Sequence, residues 1–231
     1  MARISKTINP SHVLLVEGEA DRGFFEQVCK KLDWNSYPQI TPAFPKDYQA
    51  DYEEFLHNGK QAVRKLLNDL LPDLVDESSA LKRLAAVVDA DYAKGFGFQE
   101  TLKQFQETAA DYGFSLLENN SSGLIFKQDD LVFGLWIMPN NKQEGMLEDF
   151  IKTCIKSDEQ ALFNHASQII QAISEPKFDT NIHLTKAEIA TWLAWQKIPS
   201  HGFYISVKDN LLKTDHILFE ELERWLKQIF I

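Results

Sequence analysis

Short apolar runs rich in β-branched residues alternate with segments of helical periodicity along the first two-thirds of this 231-residue chain. Three of these runs occupy residues 13–16, 84–88 and 130–138. Runs of this kind are typical of strands that are buried on both faces of a parallel sheet. Alternation of such strands with helices favours right-handed crossover connections. The sequence therefore predicts an α/β fold with a mostly parallel sheet flanked by helices.

Further elements are predicted around these three strands. A weak strand is expected near residues 37–44, and strands near 114–118 and 124–127 are expected to add antiparallel edges to the sheet. An amphipathic helix that begins near Tyr52 is expected to be interrupted by Gly59 and to stop at Pro72, because proline cannot donate the helical hydrogen bond.

The C-terminal part of the chain is expected to be helical. From Leu147 onward, apolar residues recur at helical spacing, and only a short segment around residues 174–176 interrupts the pattern. Because this connection is short, the helices are expected to cap the sheet instead of folding alone. The predicted organisation is an α/β domain over residues 1–155 and a helical C-terminal extension over residues 156–231 that packs on it.

Composition limits the cellular setting and the partners of the protein. The hydrophobic content of 44% supports a sizeable core, and the net charge of −10 argues against a large non-specific DNA-binding surface. No apolar run has the length of a signal peptide or of a membrane span. Cys29 and Cys154 both fall on apolar helical faces, where core packing is the expected role. The expected location is the cytoplasm, with no membrane association.

Acidic residues follow each of the three apolar runs. Glu17 follows the first run, Asp89 and Asp91 follow the second, and Glu148 lies beyond the third, while Asp21 falls in the first turn of a predicted helix. In parallel α/β sheets, the functional crevice lies beyond the carboxyl ends of the strands. Carboxylates that share one crevice repel each other unless a cation lies among them. Oxygen ligands of this kind suit Mg²⁺ or Mn²⁺, so the sequence predicts a divalent metal site.

Two segments that contain these acidic residues resemble motifs of the Toprim domain. This domain occurs in topoisomerases, primases and OLD-family (overcoming lysogenisation defect) nucleases. The first is Val16-Glu17-Gly18 at the end of a strand, and the second is the later Val88-Asp89-Ala90-Asp91. The resemblance covers about residues 10–155. The whole chain also resembles an uncharacterised bacterial family of stand-alone Toprim-like proteins.

The resemblance implies Mg²⁺-dependent hydrolysis of phosphodiester bonds in DNA or RNA. It implies that Glu17 is catalytic and also a metal ligand, together with Asp21, Asp89, Asp91 and Glu148. In OLD-type nucleases, a lysine after the acidic motifs assists catalysis, and Lys186 resembles that residue. Thr185 is expected to cap a helix that starts beside Lys186, with Glu188 completing a capping box. Lys142, in the loop after the third run, is a candidate contact for a substrate phosphate.

Alternative interpretations remain open at the level of sequence. Asp21 and Glu148 also suit helix N-termini, and Lys142 and Lys186 also suit an ordinary surface. Gly59-Lys60-Gln61 is not a Walker motif, because the upstream glycine and the Ser or Thr are missing.

The alternative functions are nucleotidyl transfer and a non-catalytic regulatory or defence-system module with a protein partner. The sequence does not predict an oligomeric state.

Overall fold

The elements of the fold come from a computed structural model that describes residues 7–43, 59–92, 97–117, 123–199 and 202–231. The strands are β1 (Thr7–Val16), β2 (Ser36–Pro42), β3 (Arg83–Asp89), β4 (Ser115–Leu116), β5 (Leu124–Gln128) and β6 (Leu131–Met138). The helices are α1 (Glu19–Lys31), α2 (Gly59–Val75), α3 (Phe98–Ala110), α4 (Leu147–Cys154), α5 (Gln160–Gln171), α6 (Thr180–Ala194), α7 (Tyr204–Lys208) and α8 (Ile217–Phe230).

The strands form one six-stranded sheet in the order β2-β1-β3-β6-β5-β4. The pairs β2–β1, β1–β3 and β3–β6 are parallel, whereas β5 and β4 extend the sheet as antiparallel strands. The predicted α/β class, with a mostly parallel sheet and antiparallel edges, is confirmed.

The strand order determines where the functional crevice lies. The chain leaves β1 for β2 on one side and later returns to β3 on the other side, so the direction of winding reverses beside β1. Such a reversal opens a crevice at the carboxyl ends of the strands. β1 ends at Val16 and β3 ends at Asp89, so Glu17 and Asp89 lie at the same edge of the sheet on neighbouring strands.

Apolar side chains cover both faces of the sheet. On one face, the apolar sides of α2 and α3 pack against β3 and β6, with Leu67, Leu71 and Phe105 fully buried. On the other face, α1 and the C-terminal helices cover the sheet, and Trp136 of β6 lies 5.6 Å from Trp225 of α8 between ring centroids.

The core on this second face runs across residue 155, the boundary predicted from sequence. It combines sheet residues such as Leu14 with Trp192 and Trp225 of the C-terminal helices. Ile155 also forms an isolated antiparallel bridge with Leu212. The division into two domains stays a prediction, whereas the burial of the C-terminal helices against the sheet is a feature of the structure.

The expected stop of α2 at Pro72 is wrong, because the helix continues to Val75. A proline inside a helix leaves the carbonyl four residues earlier without its N–H partner. Here that carbonyl belongs to Asn68, and the Tyr112 hydroxyl donates a hydrogen bond to it at 3.1 Å. The tertiary contact replaces the missing helical bond. The predicted start of this helix near Tyr52 lies outside the described residues.

No helix in the described ranges combines the length and the apolar composition that crossing a membrane requires.

Gly134→Ala is expected to destabilise the protein by loosening α8 from the sheet. A Cβ atom on Gly134 would lie 2.7 Å from Ile229 Cγ1 and 3.2 Å from Trp225 Cζ2. Overpacking of this kind typically costs about 1–3 kcal/mol. Urea denaturation measures the effect, with the exposed Glu107→Ala substitution in α3 as a control. Equal stability of the two variants would contradict the close packing of α8 on β6.

Candidate functional site

Glu17 and Asp89 are joined directly at the carboxyl edge of the sheet. The backbone N–H of Asp89 donates a hydrogen bond to Glu17 Oε1 at 2.9 Å. This bond crosses from the end of β1 to the end of β3, so the two predicted site residues meet as the strand order requires. The second carboxylate oxygen, Oε2, faces the start of α2, where a Cβ atom on Gly59 would overlap it.

Asp21 turns back toward the end of β1 from the first turn of α1. Its Oδ2 accepts a hydrogen bond from the Gly18 N–H at 2.9 Å. The bond stabilises the N-terminus of α1, so the structural role that the sequence left open for Asp21 is present. The same geometry places its negative charge close enough to raise the pKa values of Glu17 and Asp89, in both cases after the larger effect of burial.

Asp89 also connects the sheet to α4. Its Oδ1 accepts a hydrogen bond from the Leu147 N–H, the first residue of α4, at 3.0 Å. The next residue, Glu148, is only 2% exposed, and its negative charge acts on both Asp21 and Asp89. The loop after β6 therefore delivers Glu148 to the crevice, and Asp89 fixes the start of the helix that carries it.

Asp91 occupies a tight turn after β3. Its φ angle of 65° lies in the left-handed region, and its N–H donates to the Gly145 carbonyl at 2.9 Å. Its Oδ2 lies 2.9 Å from Lys60 Nζ. We refer to Glu17, Asp21, Asp89, Asp91 and Glu148 together as the acidic cluster. The structure brings all five predicted carboxylates to one place, although their roles as metal ligands stay a prediction.

Lys186 reaches the acidic cluster from the C-terminal half of the chain. Its Nζ lies 3.6 Å from Glu148 Oε1, and its side chain is 54% exposed. The positive charge also acts on Asp21, where it opposes the rise in pKa that burial causes. Lys186 therefore combines contact with the cluster and access to solvent, which are two requirements for a cation that binds a substrate phosphate.

The helix start that was expected at Thr185 is wrong. The helix α6 begins at Thr180, and Asp179 caps it by accepting a hydrogen bond from the Asn181 N–H. Thr185 and Lys186 therefore lie inside the helix, whose N-terminal N–H groups are about a turn and a half away. The expected partner of the cap, Glu188, is buried and instead accepts hydrogen bonds from Lys152, Ser167 and Gln171.

Two ion pairs join α4 to α6, and each helix supplies the acidic residue of one pair and the lysine of the other. Glu148 of α4 pairs with Lys186 of α6, and Lys152 of α4 pairs with Glu188 of α6 at 2.6 Å. Burial alone would raise the pKa of Glu188, but the hydrogen bonds from Lys152, Ser167 and Gln171 lower it. The Lys152–Glu188 contact thus holds α6 against the helix that carries Glu148.

Lys142 does not join the acidic cluster. It is exposed in the loop after β6, where its N–H donates to Asn140 Oδ1. Within the described ranges, no hydrogen bond or ion pair connects its ammonium group to the five carboxylates. Its predicted role as a phosphate contact is not tested by this geometry.

Sequence reasoning missed two residues beside the cluster. Lys60 is 3% exposed although it is charged. It lies in phase with the buried residues Val63, Leu67 and Leu71 of α2, which is the signal that could have identified it. Tyr92 follows Asp91, and its side chain lies near Asp149 and Thr185. Burial and the neighbouring Asp149 carboxylate raise the pKa of Tyr92, so its hydroxyl stays protonated.

Burial raises the pKa values of Glu17, Asp21, Asp89 and Glu148, and the charges of neighbouring carboxylates add to this rise. Burial, followed by the charge of Asp21, raises the pKa of Glu17 to about 8. Burial is also the largest cause for Asp21, whose pKa rises to about 6, and for Asp89 and Glu148, whose pKa values lie above the ordinary range. Without a cation, the folded protein therefore favours protons on this cluster.

We expect the metal-free protein to lose stability as the pH rises from about 5 to about 8. The folded state binds more protons than the unfolded chain in this interval, because the pKa of Glu17 rises from 4.5 to about 8 on folding. The free energy of unfolding therefore falls with increasing pH. Urea denaturation in EDTA across this range measures the effect. Mg²⁺ is expected to flatten the dependence, and stability that rises toward pH 8 in EDTA would contradict the description of the cluster.

The donor chemistry of the cluster fits a hard divalent cation. Each of Glu17, Asp21 and Asp89 uses one named oxygen to accept a backbone N–H, which leaves its second oxygen for another partner. Carboxylate oxygens suit Mg²⁺ and Mn²⁺. Among the described residues, however, no group of three or more His, Cys, Asp or Glu side chains is arranged to hold a metal ion. The cluster has suitable ligand types without a closed coordination shell.

Comparison with known proteins identifies the family of this chain. The model of a family described as "Protein of unknown function (DUF3226)" matches residues 11–231, which includes every residue of the acidic cluster as well as Lys60 and Lys186. No curated protein and no solved structure matches the chain. Because the match extends from β1 to the end of α8, the chain belongs to the DUF3226 family.

Proposed function

We propose that this protein binds Mg²⁺ or Mn²⁺ at the acidic cluster and hydrolyses phosphodiester bonds in nucleic acid, as a Toprim-type nuclease of the cytoplasm. The observation that carries the proposal is the convergence of carboxylates from β1, α1, β3 and α4 on one crevice, with an exposed lysine beside them. Packing alone gives no reason to gather so many acidic groups, because each one raises the free energy of the others in their charged forms.

The chain would supply most of the metal ligands from residues whose positions the fold fixes. Glu17, Asp21 and Asp89 are each held by a backbone N–H, so their unused oxygens are oriented before a cation binds. Glu148 adds a buried carboxylate from α4. A bound divalent ion would activate water and stabilise charge on a phosphoryl oxygen.

Lys186 and Glu17 would contribute to the reaction in different ways. The Lys186 ammonium can approach a phosphate from solvent and stabilise the charge that develops on it. Glu17 would hold the ion that activates the attacking water, through the oxygen that does not accept the Asp89 N–H. Nucleotidyl transfer would use the same residues with a different acceptor.

The experiment that tests the proposal is a cleavage assay on single-stranded and duplex DNA and RNA. Activity is expected with Mg²⁺ or Mn²⁺, and it is expected to disappear in EDTA. Asp89→Asn is the inactive control, because the substitution keeps a hydrogen-bond acceptor for Leu147 while it removes a charge from the cluster. Equal activity of the wild-type protein and this variant would show that the cleavage comes from a contaminant.

A second candidate is a non-catalytic module that acts with a protein partner. Four apolar side chains on α5 and on the segments that follow α5 and α6 are exposed: Ile169 (43%), Ile173 (43%), Trp195 (38%) and Ile198 (46%). Together with the net charge of −10, they favour contact with protein over contact with bare DNA. Metal binding without cleavage of any of the four substrates would favour this candidate.

A further inference from the structure

We infer that Lys60 is a resident cation that takes the place of a second divalent ion, so that the acidic cluster binds one Mg²⁺ or Mn²⁺ and Asp91 pairs with Lys60. This inference rests on the proposed function, because it concerns the number of ions at the same site. It deepens that proposal by separating the two aspartates of the Asp89-Ala90-Asp91 segment, which the sequence alone treats as equivalent.

Lys60 is held in place by contacts on several sides. Its Nζ lies 2.9 Å from Asp91 Oδ2, donates to Thr101 Oγ1 at 2.9 Å and donates to the Ala90 carbonyl at 3.2 Å. The side chain is 4% exposed. A buried ammonium with partners in these directions cannot turn away to make room for a hydrated metal ion beside Asp91.

The positive charge of Lys60 also reaches Glu17, the other carboxylate on this side of the cluster. The start of α2 reinforces the effect, because Gly59 lies against Glu17 Oε2 and a helix N-terminus carries partial positive charge. The protein thus supplies its own positive charge between Glu17 and Asp91. A second divalent ion there would have to displace Lys60 and would meet the helix terminus.

The other side of the cluster contains no buried cation among the described residues. The charges of Asp21, Asp89 and Glu148 act on one another, and Lys186, whose ammonium pairs with Glu148, is half exposed. Asp21, Asp89 and Glu148 therefore retain the repulsion that one divalent ion can relieve. Lys60 neutralises the side of the cluster that contains Asp91, whereas the side that contains Asp21, Asp89 and Glu148 keeps its negative charge. The cluster therefore has room and charge for a single divalent ion.

Counting of bound Mn²⁺ by equilibrium dialysis, followed by electron paramagnetic resonance of the bound fraction, tests the inference without measuring activity. We expect one Mn²⁺ per wild-type chain, with no signature of two spin-coupled ions. Asp91→Asn is expected to retain one Mn²⁺ with affinity changed by less than about fivefold, as for the loss of one partly exposed charge. Asp89→Asn is expected to weaken binding by about 100-fold or more.

Lys60→Met provides the complementary test, because it frees Asp91 and removes the resident charge. This variant is expected to bind a second Mn²⁺, with circular dichroism used to verify its fold; the Asp91→Asn result stands if Lys60→Met does not fold. Two ions bound to the wild-type protein, or equal loss of affinity in Asp89→Asn and Asp91→Asn, would overturn the inference alone. No Mn²⁺ bound to the wild-type protein would instead overturn the metal site of the proposed function, and the inference with it.

Discussion

Asp89→Asn is expected to abolish metal-dependent cleavage and, in EDTA near pH 8, to raise the free energy of unfolding. Asp89 lies between Glu17, Asp21 and Glu148, whose charges all raise its pKa in addition to the effect of burial. Asparagine removes one negative charge from this group and relieves the repulsion, while metal affinity is expected to fall by about 100-fold or more. Thermal denaturation in EDTA and Mn²⁺ binding measure the two effects.

Asp89→Ala is the control that separates charge from hydrogen bonding. Asparagine retains an acceptor for the Leu147 N–H, whereas alanine leaves that buried donor without its partner. Loss of such a partner typically costs about 1–3 kcal/mol. We therefore expect Asp89→Ala to be less stable than Asp89→Asn in EDTA by about this amount. Destabilisation of similar size in both variants would mean that the charge of Asp89 is itself required for the fold.

Lys186→Ala is expected to reduce turnover by about 100-fold or more, with metal binding close to that of the wild-type protein. The ammonium group lies 3.6 Å from Glu148 Oε1 and is half exposed, so it can act on a substrate phosphate without holding the carboxylates together. The measurement is kcat and KM with excess Mg²⁺ or Mn²⁺, and Mn²⁺ affinity is measured in parallel. Lys186→Arg is expected to restore part of the turnover, because it retains the positive charge.

Lys227→Ala is a matched control for Lys186→Ala. Lys227 also pairs with a glutamate, Glu223, at 2.6 Å, and its side chain is 39% exposed, but both residues lie on α8. Removal of this surface pair is expected to leave turnover unchanged. The assignment of Lys186 to the reaction fails if both alanine variants have the same turnover as the wild-type protein.

The sequence was sufficient to predict the parallel strands and the position of the crevice. Residues 13–16 and 84–88 are short, apolar and flanked by helical periodicity, and that pattern has few alternatives in an α/β protein. Because the carboxyl ends of parallel strands lie at one edge, the meeting of Glu17 with Asp89 followed from the same argument. These predictions depended on periodicity and strand direction, both of which are local properties of the chain.

Predictions that depended on tertiary contacts were less successful. The stop at Pro72 was wrong because a distant tyrosine, Tyr112, satisfies the carbonyl that the proline leaves without a partner. The helix start predicted at Thr185 was wrong because Asp179 provides an earlier cap. Glu188, the expected partner in the capping box, instead forms an ion pair with Lys152 of α4. At Pro72 a partner far away in sequence decides the local structure, which no window of neighbouring residues contains. At Thr185 the error was local, because the cap at Asp179 lies directly before the helix.

The crossed ion pairs between α4 and α6 have a consequence for the order in which the protein is made. All residues of the acidic cluster lie at or before Glu148 in the sequence, whereas Lys186 lies on the later helix α6. The Lys152–Glu188 ion pair holds α6 against α4. On the ribosome, a nascent chain that extends only to the end of α4 has the carboxylates without the lysine. The contact between Lys186 and Glu148 therefore forms only after α6 has been synthesised and has packed against α4.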